Sequence, residues 1–252
     1  MEEKNRRRTE LFFKNYKHKL ASIKPPIPLP VDGMWLIGPK LGTLKNGQFE
    51  PEVVHFFTSR LKATSFFADV GPQYGIHTVN IARRFGKAEK RVYVFEPSVL
   101  NQRRLKRNLF INNCLANVEI VPVFVGSKMG NQVFDLDNET GFEATKSKNC
   151  LHVTSITLDS LGIDFTLCKI DAEGYDIEVL RGASRLISQG CEFTFEIGKR
   201  FSDVSISERL DEIRSFGLKI MQLSYGEREP TNREIESLVE EKLHINLAAV
   251  PS

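Results

Sequence analysis

From Ser65 to the C-terminus, short apolar runs alternate with longer stretches of mixed polarity. The runs near 64–70, 91–96, 118–125, 165–171, 191–197, 218–224 and 243–250 are rich in Val, Ile, Leu and Phe and predict strands. Helical spacing of apolar residues predicts helices near 76–86, 98–112, 175–189, 205–216 and 231–242. A further helix starts around Pro51 and carries Val53, Val54, Phe56, Phe57 and Leu61. Strands alternating with helices are the α/β signature, which implies a doubly wound, mostly parallel sheet.

Two segments stand outside that alternation. Residues 1 to about 23 are highly charged, yet Leu11, Phe12, Phe13, Tyr16 and Leu20 suit one amphipathic helix. Lys24 to Pro30 cannot continue it, because its prolines lack an amide donor and restrict the residues before them. Residues 1–46 are therefore set apart as a charged helix and proline-rich linker, with 47–252 as one domain. An insertion at about 126–164 separates the third and fourth strands of the core. It holds a polar loop (Asn138 to Asn149) between two strand-like pieces, Gln132 to Leu136 and Val153 to Leu158. A hairpin there would make a lid over an acceptor.

The chemistry is concentrated at strand ends. Phe66 to Val70 is an apolar strand containing Asp69 near its end, followed by Gly71-Pro72-Gln73-Tyr74-Gly75 and a helix start. The next strand ends in Phe95-Glu96-Pro97. Two glycines allow close backbone approach to a ligand, and an acid after the second strand suits a ribose diol. An adenosine-type cofactor is implied. Gln73 stands where a dinucleotide fingerprint needs its second glycine, which argues against NAD. None of the 5 tyrosines has a lysine four positions on, so the short-chain dehydrogenase pair is absent, and no Gly-Lys-Ser/Thr marks a P-loop. S-adenosylmethionine has no phosphate and wants an acid near its ammonium group, a place Asp69 suits.

A third segment, Lys169-Ile170-Asp171-Ala172-Glu173-Gly174 with the following Val179-Leu180-Arg181-Gly182-Ala183, completes a set. With Asp69-Val70-Gly71 and Phe95-Glu96-Pro97 in order before it, the chain resembles the FkbM family of S-adenosylmethionine-dependent methyltransferases over roughly Phe49 to Val250. The usual Ala-Asn-Ile between the two glycines is Pro72-Gln73-Tyr74 here. The resemblance implies a seven-stranded methyltransferase sheet whose last strand is reversed, and O-methylation of a hydroxyl on a sugar, glycan or natural product. An RNA acceptor is the first alternative. A catalytically silent cofactor-binding or scaffold protein is the second.

Methyl transfer to oxygen needs donor and nucleophile held in line and a base within hydrogen-bond reach. Asp69, Gly71, Gln73, Tyr74, Gly75, Thr78, Glu96, Pro97 and Asp171 are the expected cofactor contacts. Asp171 and Glu173 are the catalytic candidates, with helix capping the plainer role for Glu173. Lys169, Glu196 and His244 are expected to contact the acceptor. Lys169 is equally suited to an ion pair with either acid, and His77, at a helix start, could face the pocket, with an ordinary surface position the plainer reading. Cys150 and His152 lack partners for a metal set, so no metal is expected.

Composition narrows the setting. The chain has 252 residues, 41% of them hydrophobic, enough for one good core. Its net charge of +3 does not by itself call for nucleic acid. Arg103, Arg104, Lys106 and Arg107 form a basic cluster that reads as a solvated helix face, or else as an attraction for a phosphorylated acceptor. The 4 cysteines show no paired spacing. With no apolar run long enough to span a membrane and no signal-peptide core at the N-terminus, a cytoplasmic enzyme is expected.

Overall fold

The computed structural model describes residues 29–31, 33–38, 48–85, 90–135, 150–198, 204–223 and 228–252. The expected helix within residues 1–23 and the loop from Asn138 to Asn149 lie outside them. A short hairpin, β1 (Leu29–Val31) and β2 (Met34–Leu36), comes first, then α1 (Pro51–Arg60), β3 (Phe67–Val70), α2 (Ile76–Ala82), β4 (Val92–Phe95) and α3 (Val99–Ile111). Strands β5 (Val118–Val121), β6 (Phe124–Val125), β7 (Gly130–Asp135), β8 (Cys150–Ile156) and β9 (Leu167–Ile170) follow. The chain closes with α4 (Asp176–Arg181), α5 (Ser184–Ser188), β10 (Glu192–Gly198), α6 (Ile206–Ser215), β11 (Leu218–Gln222), α7 (Asn232–Lys242) and β12 (His244–Pro251).

The main sheet has seven strands in the order β11-β12-β10-β9-β3-β4-β5. All neighbours pair in parallel except β12, which runs antiparallel to both β10 and β11. The reversed last strand thus sits between the two strands preceding it in sequence. Strand order reverses between β3 and β9, which opens a crevice at their carboxyl ends. Every residue of β3 and β9 is buried, as expected of central parallel strands covered on both faces. Apolar clusters on the two faces of the sheet form the core, one centred on Phe95, Phe165, Phe193 and Phe195, the other on Phe57, Phe67, Leu105 and Leu109.

Three sequence expectations change in detail. The run 118–125 divides into β5 and β6, because β6 leaves the main sheet to pair with β8. With β7 it makes a separate three-stranded sheet, so the insertion is a hairpin plus one strand. The helix expected over 175–189 breaks at Gly182, where a Cβ would stand 2.3 Å from the carbonyl oxygen of Gly126. The helix resumes as α5, capped by Asp159, which accepts from the amides of Arg185 (2.7 Å) and Leu186 (3.2 Å). In contrast, α6 and α7 start where their Ser205–Glu208 and Thr231–Glu234 capping boxes specify.

The hairpin β1–β2 is packed on the domain. Val31, Met34 and Leu36 are buried in the same cluster as Leu105 and Leu109. Asn108 and Asn112 of the α3 region extend the attachment by bonding the backbone of Ile37 and Trp35 through both side-chain donor and acceptor. Among the described residues no helix is long and apolar enough to cross a membrane.

Candidate active site

The turn after β3 is closed by the amide of Gly75 donating to the carbonyl of Pro72 at 2.7 Å. Gly71 has φ 75°, and a Cβ on it would stand 2.0 Å from the carbonyl oxygen of Asp171. Only glycine lets the turn after β3 lie backbone-to-backbone against the turn after β9. Gln73 (φ 50°) and Glu173 (φ 49°) occupy left-handed conformations at the tips of these two turns. The Gln73 amide donates to the Glu173 carboxylate across the gap at 3.4 Å.

Between the turns lies a cavity whose lining includes Phe49, Asp69, Gln73, His77, Lys169 and Asp171. Asp69 is fully buried. Its Oδ2 accepts from the Thr78 hydroxyl at 2.5 Å, whereas Oδ1 has no partner among the described residues. Burial raises the Asp69 carboxyl above its ordinary range, against the opposing pull of Lys169 and Thr78. Lys169 lies directly opposite Asp69 in the β3–β9 register. Its ammonium donates to Asp171 at 3.0 Å. Burial alone would lower the lysine, but Asp171, Asp69 and Glu50 outweigh it and hold the ammonium charged.

Glu96 closes the other end, after β4. It is buried, and its carboxylate accepts from the Ser98 amide at 2.8 Å and the Asn101 side chain at 3.4 Å. Burial pushes it up to about 7, opposed by Ser98, Asn101 and the backbone of Gln73, and assisted by Asp69. The Gln73 backbone thereby ties the first turn to the second strand end. Pro97 then turns the chain into α3.

A second, polar cavity adjoins β12, its lining including Glu50, Gln222, Lys242, His244 and Asn246. His244 Nε2 lies 3.2 Å from Glu196 Oε1. Burial first, then Asp171, Asp176, Glu173 and Glu50, push Glu196 up to about 8. Of the expected residues, the structure therefore brings Asp69, Gly71, Gln73, Tyr74, Lys169 and Asp171 to one cavity, with Glu173 at its rim. Thr78 stands behind Asp69, and Gly75 starts α2 against Leu105. Glu96 and Pro97 adjoin through the Gln73 backbone, while His244 lines the neighbouring cavity and Glu196 approaches it through His244.

Glu50 and Asp176 escape sequence reasoning, and His77 takes the pocket-facing of its two readings. His77 is buried rather than on the surface, its Nε2 2.8 Å from Glu50 Oε2 and its ring 5.4 Å from that of Phe49. Glu50 holds a left-handed backbone (φ 44°) just before Pro51. Burial would raise its carboxyl, but His77, Lys169 and Asn246 bring it down to about 2. Glu50 thus links the two cavities. Asp176, also buried, accepts from the amides of Glu196 (3.0 Å) and Gly174 (3.3 Å), fixing the turn after β9 against β10. The acid before Pro51 was a visible signal for Glu50; nothing local marked its partners. The insertion approaches this edge through Phe124, whose ring meets Tyr175 edge-on at 5.2 Å. Among the described residues no group of three or more His, Cys, Asp or Glu side chains could hold a metal ion.

A family profile described as the methyltransferase FkbM domain matches residues 69–237. Among solved structures, methyltransferase FkbM from Methylobacillus flagellatus KT is 16% identical with a TM-score of 0.51, covering 79% of this chain and 47% of that one. This chain thus spans about half the length of that protein. An rRNA methylase from Streptococcus thermophilus is 12% identical, with a TM-score of 0.47 over 79% of this chain and 93% of that one. Precorrin-6y C5,15-methyltransferase from Geobacter metallireducens GS-15 is 13% identical, with a TM-score of 0.49 over 92% and 100%. No curated protein gave a significant match.

Proposed function

Because the chain belongs to the FkbM methyltransferase family, we propose that it methylates a hydroxyl of a sugar, glycan or natural-product acceptor, using S-adenosylmethionine. When bound, that cofactor supplies an electrophilic methyl group on a sulfonium. The observation that carries the reading is Asp69, a fully buried carboxylate facing the crevice, with one oxygen satisfied by Thr78 and the other without a partner among the described residues. A buried acceptor left open is costly unless a ligand completes it, and an ammonium group does so. Glu96 would take the ribose hydroxyls, exchanging its bonds to Ser98 and Asn101 in part. Gly71, Gln73, Tyr74, Gly75 and Pro97 would shape the cofactor's bed, with Thr78 holding Asp69.

On the acceptor side, Asp171 and Glu173 would orient the hydroxyl and accept its proton. The Lys169 ammonium, 3.0 Å from Oδ2 of Asp171, holds that side chain in place. His244, in the neighbouring cavity, and Glu196 beside it would contact the acceptor. Residues 47–252 form the catalytic unit in this reading, and the described part of the insertion approaches it as a cover.

Calorimetric titration tests the cofactor. S-adenosylhomocysteine is expected to bind in the micromolar range and NAD not at all. Tight NAD binding with silence toward both sulfur compounds would sink the reading. Labelled donor offered with pools of glycans, small natural products and RNA, followed by mass spectrometry of the pool that gains label, then identifies the acceptor.

A further inference from the structure

Helix α3 has a surface that nothing in methyl transfer uses. Its inner face is set by Leu105, Asn108 and Leu109, all fully buried. The outer face carries Val99, Arg103, Lys106, Arg107 and Phe110, which the 3.6-residue period brings to one side. Cations occupy the middle of this face and apolar side chains its ends. No acid occurs between Val99 and Ile111. Among the described residues Arg103, Lys106 and Arg107 have no carboxylate partner, in contrast to Arg60, Arg181 and Arg185, which do.

The apolar end is extended by other elements. Phe110 is 74% exposed and Trp35 55%. Trp35 is held against the end of α3 by paired bonds to Asn112, at 3.1 Å to its amide and 2.7 Å from its carbonyl. Ile111 and, just beyond the turn, Leu115 are exposed at the same end. Arg83, at the end of α2, bonds the carbonyl of Gly33 in the same hairpin at 2.9 Å and adds a further cation. Phe110 thus continues the cationic face at its C-terminal end, and Trp35, Ile111 and Leu115 add exposed apolar side chains near that end of α3, where among the described residues the cations have no carboxylate partner.

We propose that this face docks on an anionic lipid bilayer surface, with α3 lying in the plane of the interface. Aliphatic and aromatic side chains at the level of the headgroups, flanked by unpaired cations, are the recognition chemistry of an interfacial helix. Nucleic acid would engage the cations and stack on the aromatics, but it has no use for exposed Ile111, Leu115 and Val99. The proposal is independent of which acceptor is methylated.

The test is co-sedimentation of the full chain with vesicles of phosphatidylcholine alone, and of phosphatidylcholine and phosphatidylglycerol in equal parts. Binding to the second and not the first, weakening as salt rises, is expected. Replacing Arg103, Lys106 and Arg107 together by Glu should reduce partitioning about 100-fold or more. W35S with F110S should reduce it about tenfold. Both variants should keep the parent's melting temperature and S-adenosylhomocysteine affinity, because none of these side chains reaches the crevice. Absence of vesicle binding by the parent, or unchanged binding by both variants, overturns the proposal. So does a parent chain that binds a single-stranded RNA oligonucleotide but no vesicle.

Discussion

Gly71 and Asp171 meet backbone to backbone: a Cβ on the glycine would stand 2.0 Å from the aspartate's carbonyl oxygen. The contact brings the turn after β3 against the turn after β9, and both sides of the crevice depend on it. Gly71→Ala combines a collision with a left-handed backbone (φ 75°). A loss of about 2–4 kcal/mol in urea denaturation is expected, together with loss of S-adenosylhomocysteine binding. A variant of normal stability and affinity would show that the two turns are free to separate.

Glu96→Ala should weaken cofactor binding by about 1.5–3 kcal/mol, the scale of hydrogen bonds to a charged group, while the fold survives. The carboxyl sits at about 7, raised chiefly by burial. Its ionised form is the better acceptor for ribose hydroxyls. Affinity should therefore rise with pH up to about 7 and level off above it, and Glu96→Gln should remove that part of the dependence. Calorimetry between pH 5.5 and 8.5, read as roughly one proton's linkage, checks both.

The Glu50–His77 bond makes a prediction about stability. Glu50 is depressed from 4.5 to about 2. A group depressed on folding stabilises the protein above its unfolded value, and the contribution is lost as pH falls from there through about 2. Glu50→Gln should cost up to about 3 kcal/mol near pH 7. The difference from the parent should shrink progressively below pH 4.5. Denaturant titrations at the two ends of that range measure it.

Neutralising the proposed base should separate chemistry from binding. Asp171→Asn and Glu173→Gln are expected to lower turnover at saturating donor by about 10²–10⁴, with S-adenosylhomocysteine affinity changed far less. Asp171→Asn also removes the partner of a buried ammonium, so its melting temperature should fall while that of Glu173→Gln holds. Equal, near-normal rates in both would move these acids to cofactor positioning.

Truncation tests where the folded unit begins. Removal of residues 1–23 should leave stability and cofactor binding intact. Removal through Gly38 should not, because it strips buried Val31, Met34 and Leu36 from α3 and leaves Asn108 with one donor and its acceptor open, only the bond to Tyr74 remaining. Thermal melts of the two truncations decide the boundary.

The sequence by itself determined the class of fold and the strand ends at which the acids of the crevice stand. Central strands are buried on both faces, so they show as unbroken apolar runs, and strand-end acids such as Asp69 and Glu96 stand out against them. Short signals were equally local at Gly71 and Gly75, where the backbone demands glycine, and at the Ser205 and Thr231 caps. What one stretch could not show was any relation between distant ones. Glu50 became part of the site only when α1 brought it to His77 and Asn246. Which of its two readings His77 takes was decided by Phe49 and Glu50, which pack against it from before α1. The close approach of the Gly126 carbonyl to Gly182 at the helix break, and the two asparagines of the α3 region that bond the first hairpin, likewise join segments far apart in sequence. Periodicity and turn chemistry act over a few residues, whereas burial of a polar group is decided by whatever segment folds over it; only tertiary structure supplies that.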